Sequence, residues 1–325
     1  MSPTSAVPVD DLLELACRAP SVHNTQPWRW RVRENRVDLY ADFRRQLVHA
    51  DPQRRDLMLS CGAALHHFQV AASALGWSTR VRRVPDPSDE RFVASIELGA
   101  GRPAPDAAEL LAAIRERRTD RRRLTSWPVP DERLNALCMA GNRWGAQLLP
   151  VYDETVKARL EELTRRADVL QRRNPAYVSE LNNATVYWAN VGVPVAHIPR
   201  EEYVASSDAL NRRFPNGVLD DPVVDPGEPS DGMLIVCTSS DDTVSRVRAG
   251  EALSAVWLQA TRDGLSMVPL SQALEVQETR RVLQEEVLDD KALAQIVVRV
   301  GWLPLSRRGL AATPRRDVAD VRMES

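Results

Sequence analysis

The stretch Arg117-Arg118-Thr119-Asp120-Arg121 decides the fold, because it lies in the middle of a 325-residue chain and is followed by what reads as a second N-terminus. Pro128-Val129-Pro130-Asp131-Glu132-Arg133-Leu134 places prolines at a turn and acidic residues in a first helical turn, as a helix start favours. Val7-Pro8-Val9-Asp10-Asp11-Leu12-Leu13 has the same arrangement near the true N-terminus. A chain that begins twice is predicted to be internally duplicated.

Equal spacings further along the chain support this duplication. Gly62 and Gly76 are 14 residues apart, and so are Gly250 and Gly264, with an apolar segment between the members of each pair. Each half then has a strand-like apolar segment that closes at a glycine, residues 92–99 and 296–301. We therefore divide the chain into a first half, residues 1–110, and a second half, residues 111–325.

Two helices are predicted to form the centre of the molecule. The segment from Leu57 to Leu75 is apolar on most of its faces, and so is its counterpart from Ala252 to Ala260. A helix with so little polar surface is buried. The simplest arrangement packs the two against each other, one from each half, although two unrelated buried helices would show the same pattern.

The second half contains about 67 residues more than the first, and we place this insertion at residues 154–231. Strand-like segments, residues 146–152 and 233–237, flank it. The insertion is predicted to open with a charged helix over residues 156–173 and to end in a loop rich in proline, glycine and aspartate at 214–232. Long insertions outside the core are commonly lids or binding loops.

Composition excludes several classes of protein. A formal net charge of −2 argues against a dedicated nucleic-acid binder. We find neither a secretory signal nor an apolar run long enough to span a membrane, so the expected location is the cytoplasm. The four cysteines are far apart, and His66 and His67 diverge as neighbours on a helix, so no metal site is expected.

Two segments indicate ligand chemistry, while catalytic, Walker and Rossmann motifs are missing. Residues 19–28, Ala-Pro-Ser-Val-His-Asn-Thr-Gln-Pro-Trp, form a predicted loop of hydroxyl and amide groups suited to a flat, hydrogen-bonding ligand, or a purely structural turn. Residues 117–121 offer three cations and a hydroxyl, which suit a phosphate. A solvated basic surface would look the same.

Together these segments resemble the nitroreductase family of FMN-dependent flavoproteins, and the order of the halves is similar to its Acg-like subgroup. The family motifs Arg-Arg-Ser-x-Arg, Pro-Val-Pro-x-Glu-x-Leu and Ala-Pro-Ser-x-x-Asn-x-Gln-Pro-Trp correspond to residues 117–121, 128–134 and 19–28. The resemblance implies an α+β, nitroreductase-like fold in which one chain mimics the family's homodimer, with a lid insertion. It also implies phosphate contacts from Arg117, Arg118, Thr119, Arg121 and either Arg315 or Arg316, and contacts to the flavin ring and ribityl chain from Pro20, Ser21 and Asn24. The family's Pro-x-x-Gly loop beside the flavin reads Pro269-Leu270-Ser271-Gln272 here, with glutamine in place of glycine.

The resemblance further implies one FMN per chain, because each family site takes its arginines from one subunit and its Pro-Ser-x-x-Asn loop from the other. The reciprocal site lacks its parts, since residues 1–7 contain no cation and residues 139–144 read Met-Ala-Gly-Asn-Arg-Trp. Two functions are consistent with such a chain: an oxidoreductase that reduces nitro or quinone acceptors with NAD(P)H, and a protein that stores FMN under a closed lid. A scaffold without flavin is a third. The expected partners are small molecules only, with neither nucleic acid nor membrane, and a single pseudo-dimeric chain suffices for the site.

Overall fold

Two four-stranded antiparallel sheets with the same strand order form the two halves of the protein in the computed structural model. The structure describes residues 7–185, 190–203, 210–221, 231–305 and 307–324. The first sheet has the order β1-β2-β4-β3 and the second β5-β6-β8-β7, and in both a register shift interrupts the pairing of the two central strands. The strands are β1 Trp28–Val32, β2 Arg36–Ala41, β3 Trp77–Arg83, β4 Phe92–Ala100, β5 Gln147–Val151, β6 Gly232–Thr238, β7 Ser266–Leu270 and β8 Leu293–Gly301. The predicted α+β fold with internal duplication is thereby confirmed.

Helices connect and cover these sheets. In the described residues they are α1 Val9–Cys17, α2 Arg55–Ala74, α3 Ala107–Glu116, α4 Asp131–Asn142, α5 Glu154–Arg172, α6 Pro175–Thr185, α7 Thr243–Arg262, α8 Gln272–Glu275, α9 Gln277–Val282 and α10 Val318–Val321. Helices α1 and α4 follow the two prolines that mark the repeated openings. None of the described helices is long and apolar enough to cross a membrane.

The two central helices touch through the two glycines that the repeat aligns. A Cβ atom on Gly62 would lie 2.0 Å from the carbonyl oxygen of Val247, and one on Gly250 would lie 2.0 Å from that of Leu59. Only glycine permits so close an approach of two helix backbones. The Cβ of a residue at 62 would also lie 3.0 Å from Cα of Gly250, so equivalent residues meet each other. Such a contact marks a two-fold axis, here a pseudo-two-fold within one chain.

The cores of the halves interlock around this axis. Trp30 and Phe68 stack at 5.5 Å in the first core, which also receives Val247 and Leu258 from α7. The second core reciprocally includes Leu59 from α2. The burial of apolar surface therefore stabilises the association of the halves as well as each half.

Two segments of the second half reach across to the first. The insertion begins with α5, which corresponds to the charged helix predicted over residues 156–173, and continues with α6. Tyr177 and Leu181 of α6 pack against Leu47 and Ala50 of the first half. Of its predicted loop at 214–232, residues 222–230 lie outside the described residues. The C-terminal tail buries Val321 in the first core, and the amide of Met323 donates to the Trp30 carbonyl at 2.7 Å.

Candidate functional site

A cleft of about 550 Å³ lies between the halves, and all twelve of the predicted site residues line it. This volume falls in the range of small-molecule and cofactor sites, about 300–1,000 Å³. Its walls come from the first-half loop, the central helices, the insertion and the tail. The twelve residues are Pro20, Ser21, Asn24, Arg117, Arg118, Thr119, Arg121, Pro269, Leu270, Ser271, Arg315 and Arg316.

Arg117 is a buried cation at one end of this cleft. Helix α3 ends at Glu116, and the extended backbone of Arg117 turns its side chain over the Trp257 ring at 4.6 Å. Its guanidinium donates to the Arg18 carbonyl at 3.2 Å, while its Nε has no partner in the described structure. Burial, followed by the neighbouring charges of Arg315 and Arg118, holds the pKa of Arg117 well below its usual value.

Arg118 and Arg315 complete a cluster of three guanidiniums, which we call the cationic grip. Arg315 donates to the carbonyls of Arg18 and Ala19 at 3.3 Å, and burial lowers its pKa to about 10. Arg118 donates to the carbonyls of Arg115 and Arg117 at 2.7 and 2.8 Å. No described carboxylate forms an ion pair with any member of the grip. Thr119 lies half-buried beside it. Buried charges without a counter-ion are costly, so this end of the cleft suits an anion.

Two of the predicted phosphate contacts are engaged elsewhere. The Arg316 guanidinium donates to the carbonyls of Gln26 at 3.4 Å and Asp320 at 2.6 Å, so it holds the tail in place. Arg121 lies over the Phe214 ring of the insertion at 5.1 Å. Burial and then the charge of Arg212, also in the insertion, lower the pKa of Arg121 to about 10. Arg315 therefore belongs to the cationic grip, whereas Arg316 is bonded to the tail and Arg121 lies against the insertion.

The loop of Pro20, Ser21 and Asn24 has an unusual backbone. His23, Asn24 and Gln26 all have positive φ angles, of 45°, 55° and 49°. Non-glycine residues adopt this region at a cost and persist there when their surroundings hold them, often at functional sites. The Ser21 hydroxyl accepts from the Gln26 amide at 3.0 Å, and the Asn24 side-chain amide donates to the Gly192 carbonyl at 3.0 Å. Asn24 Oδ1 is buried without a partner in the described residues, which leaves an acceptor free for a ligand.

In the loop after β7, Gln272, which stands where the family motif has glycine, contacts the insertion. The side-chain amide of Gln272 donates to Gln171 at 2.9 Å and Asp168 at 3.1 Å, both on α5 of the insertion. The Ser271 hydroxyl donates to Glu275 at 2.6 Å. The side chain of Gln272 is thus held by the insertion, and the residue lines the cleft together with Pro269, Leu270 and Ser271.

Sequence reasoning predicted a lid insertion but did not identify the residues of the insertion that line the cleft. Arg212 donates to the Tyr177 hydroxyl at 2.5 Å and to Ser271 at 3.3 Å, and it forms a buried ion pair with Glu275. This group, the Arg212 latch, joins the insertion to the loop after β7. Its only signal in the sequence is the doublet Arg212-Arg213 before Phe214.

Two titratable residues of the first half also line the cleft and were not predicted. His23 packs edge-on against Phe214 at 5.1 Å, with neither ring nitrogen partnered in the part of the chain described. Burial, and then the cations Arg212 and Arg121, lowers its pKa, so the imidazole is neutral. Burial, and then Asp51 and Glu275, raises the pKa of Asp56 well above its usual range. The pKa shifts of His23 and Asp56 both come from their surroundings in the folded chain, which the sequence does not reveal.

The position related to this cleft by the pseudo-two-fold axis is filled by side chains. Helix α4 continues to Asn142 where the first half has its loop. The residue aligned with Trp257 is Gln69, which donates at 2.8 Å to the fully buried Glu251, and Arg83 forms an ion pair with that carboxylate at 2.6 Å. Nearby, His66 packs edge-on against Trp144 at 4.3 Å and hydrogen-bonds Ser254 at 2.8 Å. At the position where a second cleft would lie by pseudo-symmetry, these side chains therefore contact one another.

The histidines and cysteines form no metal centre among the described residues. No group of three or more histidine, cysteine or acidic side chains there has the arrangement of a metal site. All four cysteines are buried as free thiols.

Comparison with known proteins gives relatives over nearly the whole chain. The chain is 38% identical over 317 residues to "Putative NAD(P)H nitroreductase Rv3131" of Mycobacterium tuberculosis, covering 96% of this chain and 90% of the relative. It is 30% identical over 321 residues to "Putative NAD(P)H nitroreductase acg" of the same species, covering 96% and 94%. No protein-family model matches the chain.

Solved structures show a weaker similarity. The FMN-dependent nitroreductase NfnB of Mycobacterium smegmatis, in complex with NADPH, is 16% identical with a TM-score of 0.41, over 67% of this chain and 99% of that one. An FMN-bound nitroreductase of Bacteroides fragilis is 16% identical with a TM-score of 0.38, over 63% and 95%. Scores this low support no argument about function.

Proposed function

Because this chain belongs to the nitroreductase family, in the group that includes Acg, we propose that it binds one FMN between its halves as an NAD(P)H-dependent oxidoreductase. The observation that carries the proposal is the convergence of the twelve predicted residues, from both halves and the tail, on one cleft, at whose cationic end no described carboxylate forms an ion pair. A phosphate monoester carries about −1.5 to −2 charges at neutral pH, which matches the cationic grip. All twelve residues belong to one chain, which supports a site that needs no second chain.

The orphaned polar atoms of the cleft fit FMN at both ends. Arg117 and Arg315 each have a buried Nε without a partner in the described residues, available to a phosphate oxygen. Asn24 Oδ1 and the left-handed loop around it offer an acceptor and backbone groups to the edge of a flat ring. Arg121 lies at this second end and would place positive charge near the ring instead of near the phosphate.

FMN, when bound, would supply hydride transfer from NAD(P)H to an acceptor of the nitro or quinone type. The residues of this chain then have the tasks of binding, orientation and exclusion of water. Pro269 to Ser271 form one wall, and the insertion covers the cleft with Val193, His197 and Phe214. A covered, low-dielectric site strengthens the interactions of Arg121 and His23 with anything bound there.

The filled reciprocal position supports the stoichiometry of one. At the place of a second cofactor, the half-buried Arg83 and Gln69 hydrogen-bond the fully buried carboxylate of Glu251, and to open this group would leave that carboxylate unpaired. We therefore propose one FMN per chain.

A second candidate function, the storage of FMN, is favoured by the closure of the insertion. Glu180 accepts from the amides of His49 and Ala50 at 3.1 and 2.8 Å, and Gln26 donates to the Asn190 carbonyl at 2.7 Å. Together with the Arg212 latch, these bonds tie the insertion to both halves. A lid that stays in this position would exclude a nicotinamide.

Anaerobic mixing of the FMN-loaded protein with NADPH distinguishes the two functions. The oxidoreductase predicts loss of the visible flavin absorbance within seconds and its recovery on addition of a quinone. Glu275→Gln, which removes the charge that holds Arg212, is the companion variant. If the wild type keeps its absorbance while the variant bleaches, the closed insertion is the barrier and storage is the function.

A further inference from the structure

A single residue, Asp56, lines both the flavin cleft and a second cavity, among the residues that the structure describes. The second cavity has a volume of about 230 Å³. Charged and amide side chains surround it, including Asp51, Gln53, Arg55, Glu275 and Arg280. Asp56 therefore lies between the cleft and a second cavity lined by charged and amide side chains.

The carboxyl of Asp56 is buried and has no partner among the described residues. The residue is 8% exposed, in the first turn of α2, and its side chain forms no hydrogen bond or ion pair with the rest of the described chain. The Ser60 hydroxyl donates to the backbone carbonyl of Asp56 and not to its carboxyl. A carboxyl without a described partner, in a residue that lines both cavities, is available to groups in either of them.

The charges around Asp56 do not compensate a carboxylate there. Asp51, in the loop before α2, and Glu275 of α8 oppose a negative charge, whereas Arg55 and Arg212 favour it. However, Arg55 is paired with Asp241, and Arg212 is paired with Glu275. Burial and the two acidic neighbours prevail, so the pKa of the carboxyl lies well above its usual range and the folded protein favours its protonated form.

We propose that Asp56 is the proton donor to the acceptor that is reduced in the cleft. This inference rests on the proposed function. A quinone that receives one hydride needs one proton to become a hydroquinone, and a nitro group that receives one hydride needs one proton to become a nitroso group and water. Asp56 gives that proton from its carboxyl O–H, and the resulting carboxylate takes a proton from water through the second cavity. A positioned internal acid accelerates such a proton transfer by about 10²- to 10⁴-fold.

The test isolates the oxidation of reduced flavin from its reduction. The bound FMN is reduced with dithionite and mixed anaerobically with benzoquinone in a stopped-flow instrument. Asp56→Asn, which keeps the shape but holds no acidic proton, should slow flavin oxidation about 10²- to 10⁴-fold. Asp56→Glu should restore part of the rate. Glu97→Gln, which alters an exposed carboxylate of β4 that lines neither cavity, should match the wild type.

A second readout does not depend on turnover. Infrared spectra at neutral pH should show the carbonyl band of a protonated carboxyl in the wild type and lose it in Asp56→Asn. An Asp56→Asn protein that retains FMN and oxidises at the wild-type rate would overturn the inference, as would the missing band. Failure of the wild type to retain FMN or to be reduced by NADPH would overturn the proposed function instead, because the dithionite route does not use NADPH.

Discussion

Replacement of Arg117 by methionine is predicted to weaken FMN binding while it stabilises the empty protein. The guanidinium is 5% exposed, has no carboxylate partner in the described structure and donates only to the Arg18 carbonyl. Exchange of a buried charge for an apolar side chain of similar volume is often neutral or stabilising, by about 1–4 kcal/mol. Loss of the stacking on Trp257 opposes this by about 0.5–2 kcal/mol, so we expect the empty variant to be more stable by about 1 kcal/mol.

The effect of the same substitution on the complex has the opposite sign. One hydrogen bond to a charged group contributes about 1.5–3 kcal/mol, which corresponds to a Kd raised about 10- to 150-fold. Urea unfolding of the flavin-free protein measures the first effect, and calorimetric titration with FMN measures the second. The control is Arg122→Met, because Arg122 is buried next to Asp120 in an ion pair, and its loss should cost about 3–5 kcal/mol of stability. An Arg117→Met protein that is less stable when empty and binds FMN normally would refute the reasoning.

Three further predictions concern the axis, the latch and pH. Gly250→Val should lower the free energy of unfolding by several kcal/mol, because its Cβ would lie 2.0 Å from the Leu59 carbonyl oxygen. Gly309→Ala, with open space around it, should be neutral in thermal unfolding. Equal effects of the two variants on stability would contradict the close contact of α2 and α7 at the pseudo-two-fold axis. Glu275→Gln leaves Arg212 without its charge partner and should speed FMN release about tenfold or more in a displacement assay. An unchanged rate of release would show that the Arg212–Glu275 ion pair does not hold the insertion over the cleft. Burial raises the pKa of Asp56, so the folded state keeps a proton that the unfolded chain loses above about pH 4. The free energy of unfolding of the wild type therefore falls as pH rises. The gain in this free energy on substitution Asp56→Asn, measured by urea unfolding, should grow from pH 4 to pH 8. A difference independent of pH would show that the carboxyl is ionised.

The duplicated fold was predictable because its signals are local or periodic. Gly62 and Gly250 sit at equal distances from the turns at Gly76 and Gly264, and the helices that contain them lack a polar face. Such features specify element type and burial without any knowledge of tertiary contacts. The contact between the two glycines is then the simplest way for duplicated buried helices to meet.

The cleft was only partly predictable because several of its residues depend on tertiary placement. Arg117 and Arg121 belong to one motif, yet the chain leaves α3 in an extended conformation and separates their side chains into the grip and the insertion end. Arg212 and Phe214 lie in an irregular part of the insertion with no period to reveal them. Asp56 looks like an ordinary acidic residue of a first helical turn, and its chemistry comes from Asp51, Glu275 and the two cavities.

The count of FMN molecules per chain tests the central claim most directly. Flavin-free protein titrated with FMN and followed by native mass spectrometry is predicted to saturate at one FMN per chain, and Arg118→Glu, which reverses a charge of the cationic grip, is predicted to bind none. Two FMN per chain would contradict the filled reciprocal position. Full binding by Arg118→Glu would contradict the assignment of the grip to the phosphate.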